Sequence, residues 1–508
     1  MSLPSECKQP EREHPETLHA GTRHLLLRRL ATEQADGRAP SLVAAVAREG
    51  RSVWAAGRGR VVGPRADSAR ADSARADSAR ADSARADGAR ADGARGSSGE
   101  KVEGARPGPD TQYRIGSITK TFTAVLVMRL RDEGRLALAD PLDRHLPGTA
   151  VGDRTIADLL SHLAGITAET PPPWWERVAG TEHPDLADVI GPGPHRFRPG
   201  RRHHYSNVGF AVLGALVAHK RATSWAQAMR DELLTPLGLT RTTLLPVAPH
   251  AQGYAVHPHA DVLLPEPAHD AGVMAPAGQL WSTTTDLVRW SAVLGGHTDA
   301  VLSLDTVAEM REPAAVEGDS GQWQLGAGLG LQLIRRDGEV FVGHGGSMPG
   351  FVAALWGRPV GTTAVALANT TSGVAAGDLA LDLVDLLDTL QPPLPTEWLP
   401  SGPAGREALD LTGVWYWGPA PYMVSLRADG GLLLAPLGRF GRPSRLRAGS
   451  GRGTWTGTDG YFAGETLTPR RDAAGAVTHL ELASFVFTRA PYAPPGPIPG
   501  GLDPRGWR

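Results

Sequence analysis

"YRIGSITKTFTAVLVMRLRDEG", residues 113–134, sets Ser117 and Lys120 three apart at the start of a run that is apolar almost all round. Val125, Leu126, Val127, Met128 and Leu130 leave no polar face for solvent, so a helix over 117–133 is predicted to lie deep in a core. On such a helix, positions i and i+3 lie about 60° apart, which puts the serine hydroxyl and the lysine amine on one face. A serine hydroxyl becomes a good nucleophile only when a base takes its proton. Lysine is such a base only when its amine is uncharged, and burial disfavours the charged form. The start of the helix also offers free backbone N–H groups to an oxyanion forming beside Ser117. Against this stands a plainer reading. A serine near a helix start is commonly a cap, and a lysine one turn on commonly reaches solvent. The pair alone is a weak signal.

Around this segment the chain divides. At 508 residues it is too long for one core. Residues 1–15 read as a flexible leader and 16–392 as the main domain. A helix is predicted over 16–36, with Leu18, Leu25, Leu26 and Leu30 at helical spacing. Two strands follow, joined at Glu49-Gly50. Residues 66–95 are six pentapeptides, four ADSAR and two ADGAR. Five residues advance a helix by about 500°, so no apolar stripe builds up along them. Without large hydrophobes the repeat has little to offset its ordering entropy, and 64–110 is expected to be a disordered insertion. Residues 140–295 look mostly helical, with Thr283 and Asp286 at capping-box spacing before "LVRWSAVL". Strands dominate 323–370, with a hairpin turn at Asp337-Gly338, and "AAGDLALDLVDLLDTL" closes the unit as a helix. A proline-rich linker, 393–408, leads to a small antiparallel β-barrel or sandwich over 409–508. The sheet of the main domain is thus expected to be assembled from both of its ends, around a helical middle.

Two later stretches give the serine and lysine company: "HHYSNVGF", with Tyr205 and Asn207 two apart, and "VGHGGSMPGF", with His344, Gly345 and Gly346 on a predicted strand. With "RIGSITKTFTA" they resemble, in order, the three active-site elements of the serine β-lactamase and penicillin-binding protein superfamily. The branch is that of class C β-lactamases, D-alanyl-D-alanine carboxypeptidases, D-aminopeptidases and β-lactamase-fold esterases. "LLSHLAGI" (159–166) and "PAGQLWSTTTDLVRW" (276–290) extend the resemblance to roughly 18–390. It implies an α+β fold of the β-lactamase/transpeptidase type, an antiparallel sheet flanked by helices with a mostly helical subdomain. It makes Ser117 the nucleophile and Lys120 its partner, with Tyr205 as the second acid/base group. Asn207 would hold the lysine and the substrate, and His344, Gly345 and Gly346 would line the third motif. The N–H groups of Ser117 and Ser347 would form the oxyanion hole. Which of Lys120 and Tyr205 takes the first proton stays open. The reaction implied is acyl transfer through an acyl-enzyme, with no metal or organic cofactor.

The chain departs from the pattern at its third motif, commonly lysine-threonine-glycine. A neutral His344 and a Gly345 without hydroxyl weaken recognition of a substrate carboxylate. An esterase or small-amide hydrolase is therefore preferred to a penicillin-binding carboxypeptidase, a D-aminopeptidase or a β-lactamase. A non-catalytic binding or sensor module on the same fold is the reading of a different class. The formal charge of −2 suggests no nucleic-acid partner. No apolar run reaches membrane length, and "MSLPSECKQPEREHPETL" has no apolar signal core, so a cytoplasmic protein is expected. Cys7 is the sole cysteine. "HPHAD" (257–261) lacks further ligands for zinc, and "GAGLGLQL" (326–333) lacks nucleotide-loop spacing. His162 is placed outside the reacting set. Trp174 and Trp175 are read equally as cleft wall or as surface packing.

Overall fold

The strand Ser41–Arg48 is buried at every position although its neighbours run antiparallel. An antiparallel strand usually has one wet face, so something must cover both sides here. Alternation shows what does. Leu42, Ala44 and Val46 point into a core with the helices at the ends of the domain, while Val43, Ala45 and Ala47 point into a larger core with the helical middle. The computed structural model describes residues 18–61, 104–317, 323–395, 397–400, 408–449, 451 and 453–492. The leader, the ADSAR repeat and the end of the linker lie outside the described residues.

The helices that matter for the site are α1 (Ala20–Asp36), α2 (Thr119–Asp132), α3 (Asn207–Arg221), α4 (Thr284–Leu294) and α5 (Ala376–Leu390). The sheet is built from β1 (Ser41–Arg48), β2 (Arg51–Gly59), β3 (Ala315–Glu317), β4 (Leu325–Ala327), β5 (Gln332–Arg336), β6 (Glu339–Met348), β7 (Phe351–Gly357) and β8 (Thr362–Ala368). Its order is β2-β1-β8-β7-β6-β5-β4-β3, antiparallel throughout. The first strands of the chain thus pair with the last of the domain, as expected. α1 and α5 cover one face, and the region from α2 to α4 covers the other. Both predicted hairpins form: Glu49 and Gly50, like Asp337 and Gly338, have the positive φ angles that a tight two-residue turn needs.

Several local expectations are corrected. Ser117 lies in a 3-10 turn, Gly116–Ile118, and the α-helix begins only at Thr119. Residues 104–110, placed inside the insertion on composition, are instead held against the sheet. Val61 N–H donates to Ala105 O at 2.8 Å, and Pro107 lies against Gly57. In the first helix Leu26 and Leu30 are buried but Leu25 is exposed, so the apolar stripe is narrower than its leucines suggest. Only half of the capping box closes. Thr283 Oγ1 accepts from Asp286 N–H at 3.1 Å, while the Asp286 carboxylate turns to Arg241 N–H and the Thr242 hydroxyl. Residues 140–295 hold less helix than expected, because proline and glycine break them into short turns between α2, α3 and α4.

α2 is the pivot of the larger core. Phe122 stacks on Trp290 of α4 with ring centroids 3.8 Å apart, and the indole N–H donates to Thr121 Oγ1 at 2.8 Å. Residues 394–508 form a second compact unit. Eight strands close it into a barrel: β9 (Gly413–Trp417), β10 (Ala420–Leu426), β11 (Leu432–Pro436), β12 (Ser444–Ala448), β13 (Trp455–Gly457), β14 (Thr466–Arg471), β15 (Val477–Leu482) and β16 (Phe485–Thr488). Trp415, Tyr422, Phe462 and Phe487 fill its interior, whereas Trp417 stays at the surface. Among the described residues, no helix is long and apolar enough to cross a membrane.

Candidate active site

Ser117, Lys120, Tyr205, Asn207 and the third motif on β6, nearly 230 residues apart at the extremes (~230 by position), converge at the start of α2. The Lys120 side chain is completely buried, and its Nζ lies 2.9 Å from Ser117 Oγ, 2.6 Å from Asn207 Oδ1 and 2.7 Å from Ala277 O. Two of those partners are pure acceptors. As an ammonium Lys120 donates to all three oxygens, Ser117 Oγ included; as a neutral amine its two N–H bonds serve the two pure acceptors and its lone pair is left for the serine hydroxyl. Burial lowers the Lys120 pKa to about 7, against the opposing pull of the Glu169 and Glu176 carboxylates.

Asn207 opens α3, capped by Ser206, whose Oγ accepts from Gly209 N–H at 2.9 Å. The Asn207 amide is oriented from both ends: its oxygen takes the Lys120 amine, and its nitrogen donates to Glu169 Oε1 at 2.7 Å. Glu169 is in turn fixed by the buried Trp175, whose indole N–H donates to Oε2 at 2.8 Å. Trp174 is exposed and donates to Glu176 at 3.1 Å. Of the two tryptophans, one therefore braces the site from within and the other lies at the surface.

Tyr205 is within hydrogen-bonding reach of Ser117, and its ring lies 4.9 Å below the Lys120 amine. Burial pushes the phenol well above its usual range, the Ser117 hydrogen bond opposes this, and the nearby carboxylates add to it. The phenol therefore keeps its proton at neutral pH. His344 is buried, with its ring centroid 6.1 Å from that of Tyr205. Burial and the Lys120 charge lower its pKa to about 3, and its Nδ1 meets the Gly345 carbonyl. That carbonyl can only accept, so Nδ1 carries the hydrogen and Nε2 keeps its lone pair.

The third motif reaches Ser117 through backbone. Gly116 has φ +52°, and a Cβ there would lie 2.5 Å from Ser347 N. A Cβ on Gly346 would lie 2.0 Å from Ile115 O and 3.3 Å from Ser117 N. The two amide nitrogens named for an oxyanion hole, those of Ser117 and Ser347, are thus brought together because neither glycine has a side chain to hold β6 away. Gly345 faces Gln332, whose Oε1 accepts from its N–H at 3.0 Å. All eight sequence-predicted residues are therefore gathered at one place.

Three contributors were not legible as site residues. Ala277 supplies only a carbonyl, which no side-chain pattern reveals. Glu169 sits in "GITAET" with no spacing signal of its own. His162, set outside the reacting groups, packs its ring on Tyr205 with centroids 4.3 Å apart. Among the described residues no group of His, Cys, Asp or Glu could hold a metal ion. Asp261 of "HPHAD" accepts instead from Arg38 Nε at 2.9 Å.

Comparison with known proteins shows the family and the fold. Penicillin-binding protein 4 of Amycolatopsis lactamdurans is 32% identical over 291 residues, 52% of this chain and 74% of that protein. Two further curated relatives are spanned over only 52% and 40% of their length. The octameric penicillin-binding protein homologue of Pyrococcus abyssi, 20% identical, aligns over 92% of this chain and 99% of its own with a TM-score of 0.57. D-amino acid amidase from Ochrobactrum anthropi SV3, 18% identical, aligns over 73% of this chain and 99% of its own with a TM-score of 0.54. A domain of unknown function, DUF7586, matches residues 404–489 of the barrel unit. The Beta-lactamase family model matches residues 27–388, a span that takes in every group gathered around Ser117, and the chain belongs to that family of serine hydrolases of the β-lactamase and penicillin-binding protein fold.

Proposed function

We propose that this protein hydrolyses esters or small amides through an acyl-enzyme on Ser117. The observation that carries the reading is the buried Lys120 amine, 2.9 Å from Ser117 Oγ with its two other partners both acceptors. In the first step Lys120 accepts the Ser117 proton as Oγ attacks the carbonyl carbon. The lowered Lys120 pKa and the raised Tyr205 pKa favour the amine over the phenol as that acceptor. The tetrahedral oxyanion rests on the N–H groups of Ser117 and Ser347. Collapse expels the leaving group, which takes a proton from Tyr205, and the phenol is reprotonated through Lys120. Water then attacks the acyl carbon, and the same groups run in reverse to release the acid and restore Ser117. A neutral His344 offers no cation to a substrate carboxylate, which supports esters and neutral amides over β-lactams. Intact-mass measurement tests the reading. A fluorophosphonate should add one label to the wild type and none to Ser117→Ala; a folded wild type that stays unlabelled and cleaves no p-nitrophenyl ester would refute it.

One observation favours a second substrate class. Glu169, an exposed carboxylate tied to Asn207, and the half-buried Glu176 line one side of the site, where negative potential suits an ammonium. Amides or short peptides of D-amino acids with a free amine fit this wall, in line with the amidase among the structural neighbours. On this reading Glu169→Gln raises KM for a D-amino acid amide by about ten-fold more than KM for a neutral ester, since both substrates feel the disturbed Asn207 and Trp175 contacts but only the ammonium loses a charged partner. Equal KM changes for both substrates would remove this class.

A further inference from the structure

Tyr205 must be held in place by something other than secondary structure. Residues 199–202 form turns and bends, 203–206 have no regular structure, and α3 starts only at Asn207. Yet a phenol that hands a proton to a leaving group has to sit within hydrogen-bonding reach of it. Three contacts converge on Tyr205 from one residue of the neighbouring loop. The His162 carbonyl accepts from His204 N–H at 2.8 Å. His162 Nδ1 accepts from Ser206 N–H at 3.1 Å. Between these two anchors the imidazole lies along the Tyr205 ring, centroids 4.3 Å apart and planes 31° apart. His162 does this from a left-handed backbone, φ +59°, a conformation that residues with a Cβ seldom adopt and that persists where the surrounding structure over-determines it. The ring is itself braced by Phe210 at 5.2 Å and His203 at 5.7 Å. Burial, reinforced by the Lys120 charge, holds the imidazole neutral, so Nδ1 keeps the lone pair that Ser206 needs.

We propose that His162 is a positioning residue for Tyr205, setting the phenol against Ser117 and Lys120 through two backbone hydrogen bonds and one ring face. The inference rests on the reading of Tyr205 as proton donor to the leaving group. Simple bracing of the loop would weaken every substrate alike. Positioning of a proton donor discriminates. A p-nitrophenolate leaves without a proton, whereas an alkoxide leaves with one, so a misplaced phenol slows the second far more than the first.

The test compares wild type, Tyr205→Phe, His162→Asn, His162→Ala and the His162→Asn/Tyr205→Phe double variant. The substrates are a p-nitrophenyl ester and an ethyl ester of the same acid, and thermal melts monitor folding. Asparagine tolerates positive φ and keeps a short acceptor for Ser206 N–H while removing the ring, so His162→Asn carries the test if His162→Ala does not fold. Expected is a loss of kcat/KM of about ten-fold or more on the ethyl ester against about three-fold or less on the p-nitrophenyl ester, largest in His162→Ala. No further loss is expected when His162→Asn is added to Tyr205→Phe. Equal losses on the two esters, full additivity with Tyr205→Phe, or wild-type kinetics in a folded His162→Asn would each overturn the inference. A wild type that turns over neither ester would defeat the acyl-enzyme reading itself, and this inference with it.

Discussion

A primary amine with two carbonyl-type acceptors and one hydroxyl around it satisfies all three either as an ammonium that donates three times or as a neutral amine whose lone pair meets the hydroxyl, so its pKa decides which form acts. Lys120 is in this position, and its pKa of about 7 makes the prediction concrete. The pKa is lowered, so the ammonium dominates below about pH 7 and the base form above it. Ester kcat/KM should rise about ten-fold per pH unit below 7 and flatten above it. The raised Tyr205 pKa keeps the phenol protonated throughout that range, so no falling limb is expected near neutrality. A stopped-rate pH profile on a p-nitrophenyl ester measures this, and a plateau continuing down to pH 5 would contradict it. Glu169 and Glu176 act in the opposite direction on Lys120, so removing either charge should move the midpoint lower.

Strand β6 brings chemistry to the site with almost no side chains. Its glycines differ in what surrounds them, and this separates their roles. A Cβ on Gly346 would collide with Ile115 O at 2.0 Å, which is backbone and cannot swing aside, whereas a Cβ on Gly345 would find nothing nearer than Gln332 Oε1 at 3.8 Å. Gly346→Ala should therefore push β6 off the Ser117 turn and spread the two N–H groups, costing about a hundred-fold in kcat/KM, the scale of an ångström-sized misplacement. Gly345→Ala should stay within about three-fold, since ordinary van der Waals contact replaces open space. Steady-state rates on one ester check both; similar losses in the two variants would remove backbone approach as the reason for the Gly-Gly pair. The same element logic explains α2. Its all-round apolar surface is matched by α3, α4 and the sheet, and the Phe122–Trp290 stack fixes its rotation so that Lys120 faces Asn207.

At the scale of the molecule, every group around Ser117 comes from residues 113–347 and every residue of the barrel core from residues 408–487. Each unit has its own buried cluster. A chain truncated after Pro400 should therefore fold and be labelled by a fluorophosphonate at a rate within about three-fold of the full chain, as expected of domains with separate cores. Failure of the truncated chain to fold, or folding without labelling, would show that the barrel supports the site.

The three motifs, the hairpins and the order of strand-rich and helical regions were legible from residues alone, because turn chemistry, periodicity and the Ser117, Tyr205 and His344 neighbourhoods are written in local spacing. Leucine spacing alone overstates the buried face of the first helix, since Leu25 satisfies the helical spacing yet lies on the solvent side. Composition drew the insertion too long, because the pairing of Ala105 with Val61 depends on a strand far away in sequence. Glu169, the Ala277 carbonyl and His162 escaped for the same reason. Local sequence determined which side chains could do acid, base and nucleophile chemistry. Only tertiary packing decided that Lys120 would be dry, that Asn207 would be held from both ends and that Tyr205 would be clamped, because burial and orientation belong to what surrounds a residue and not to the residue itself.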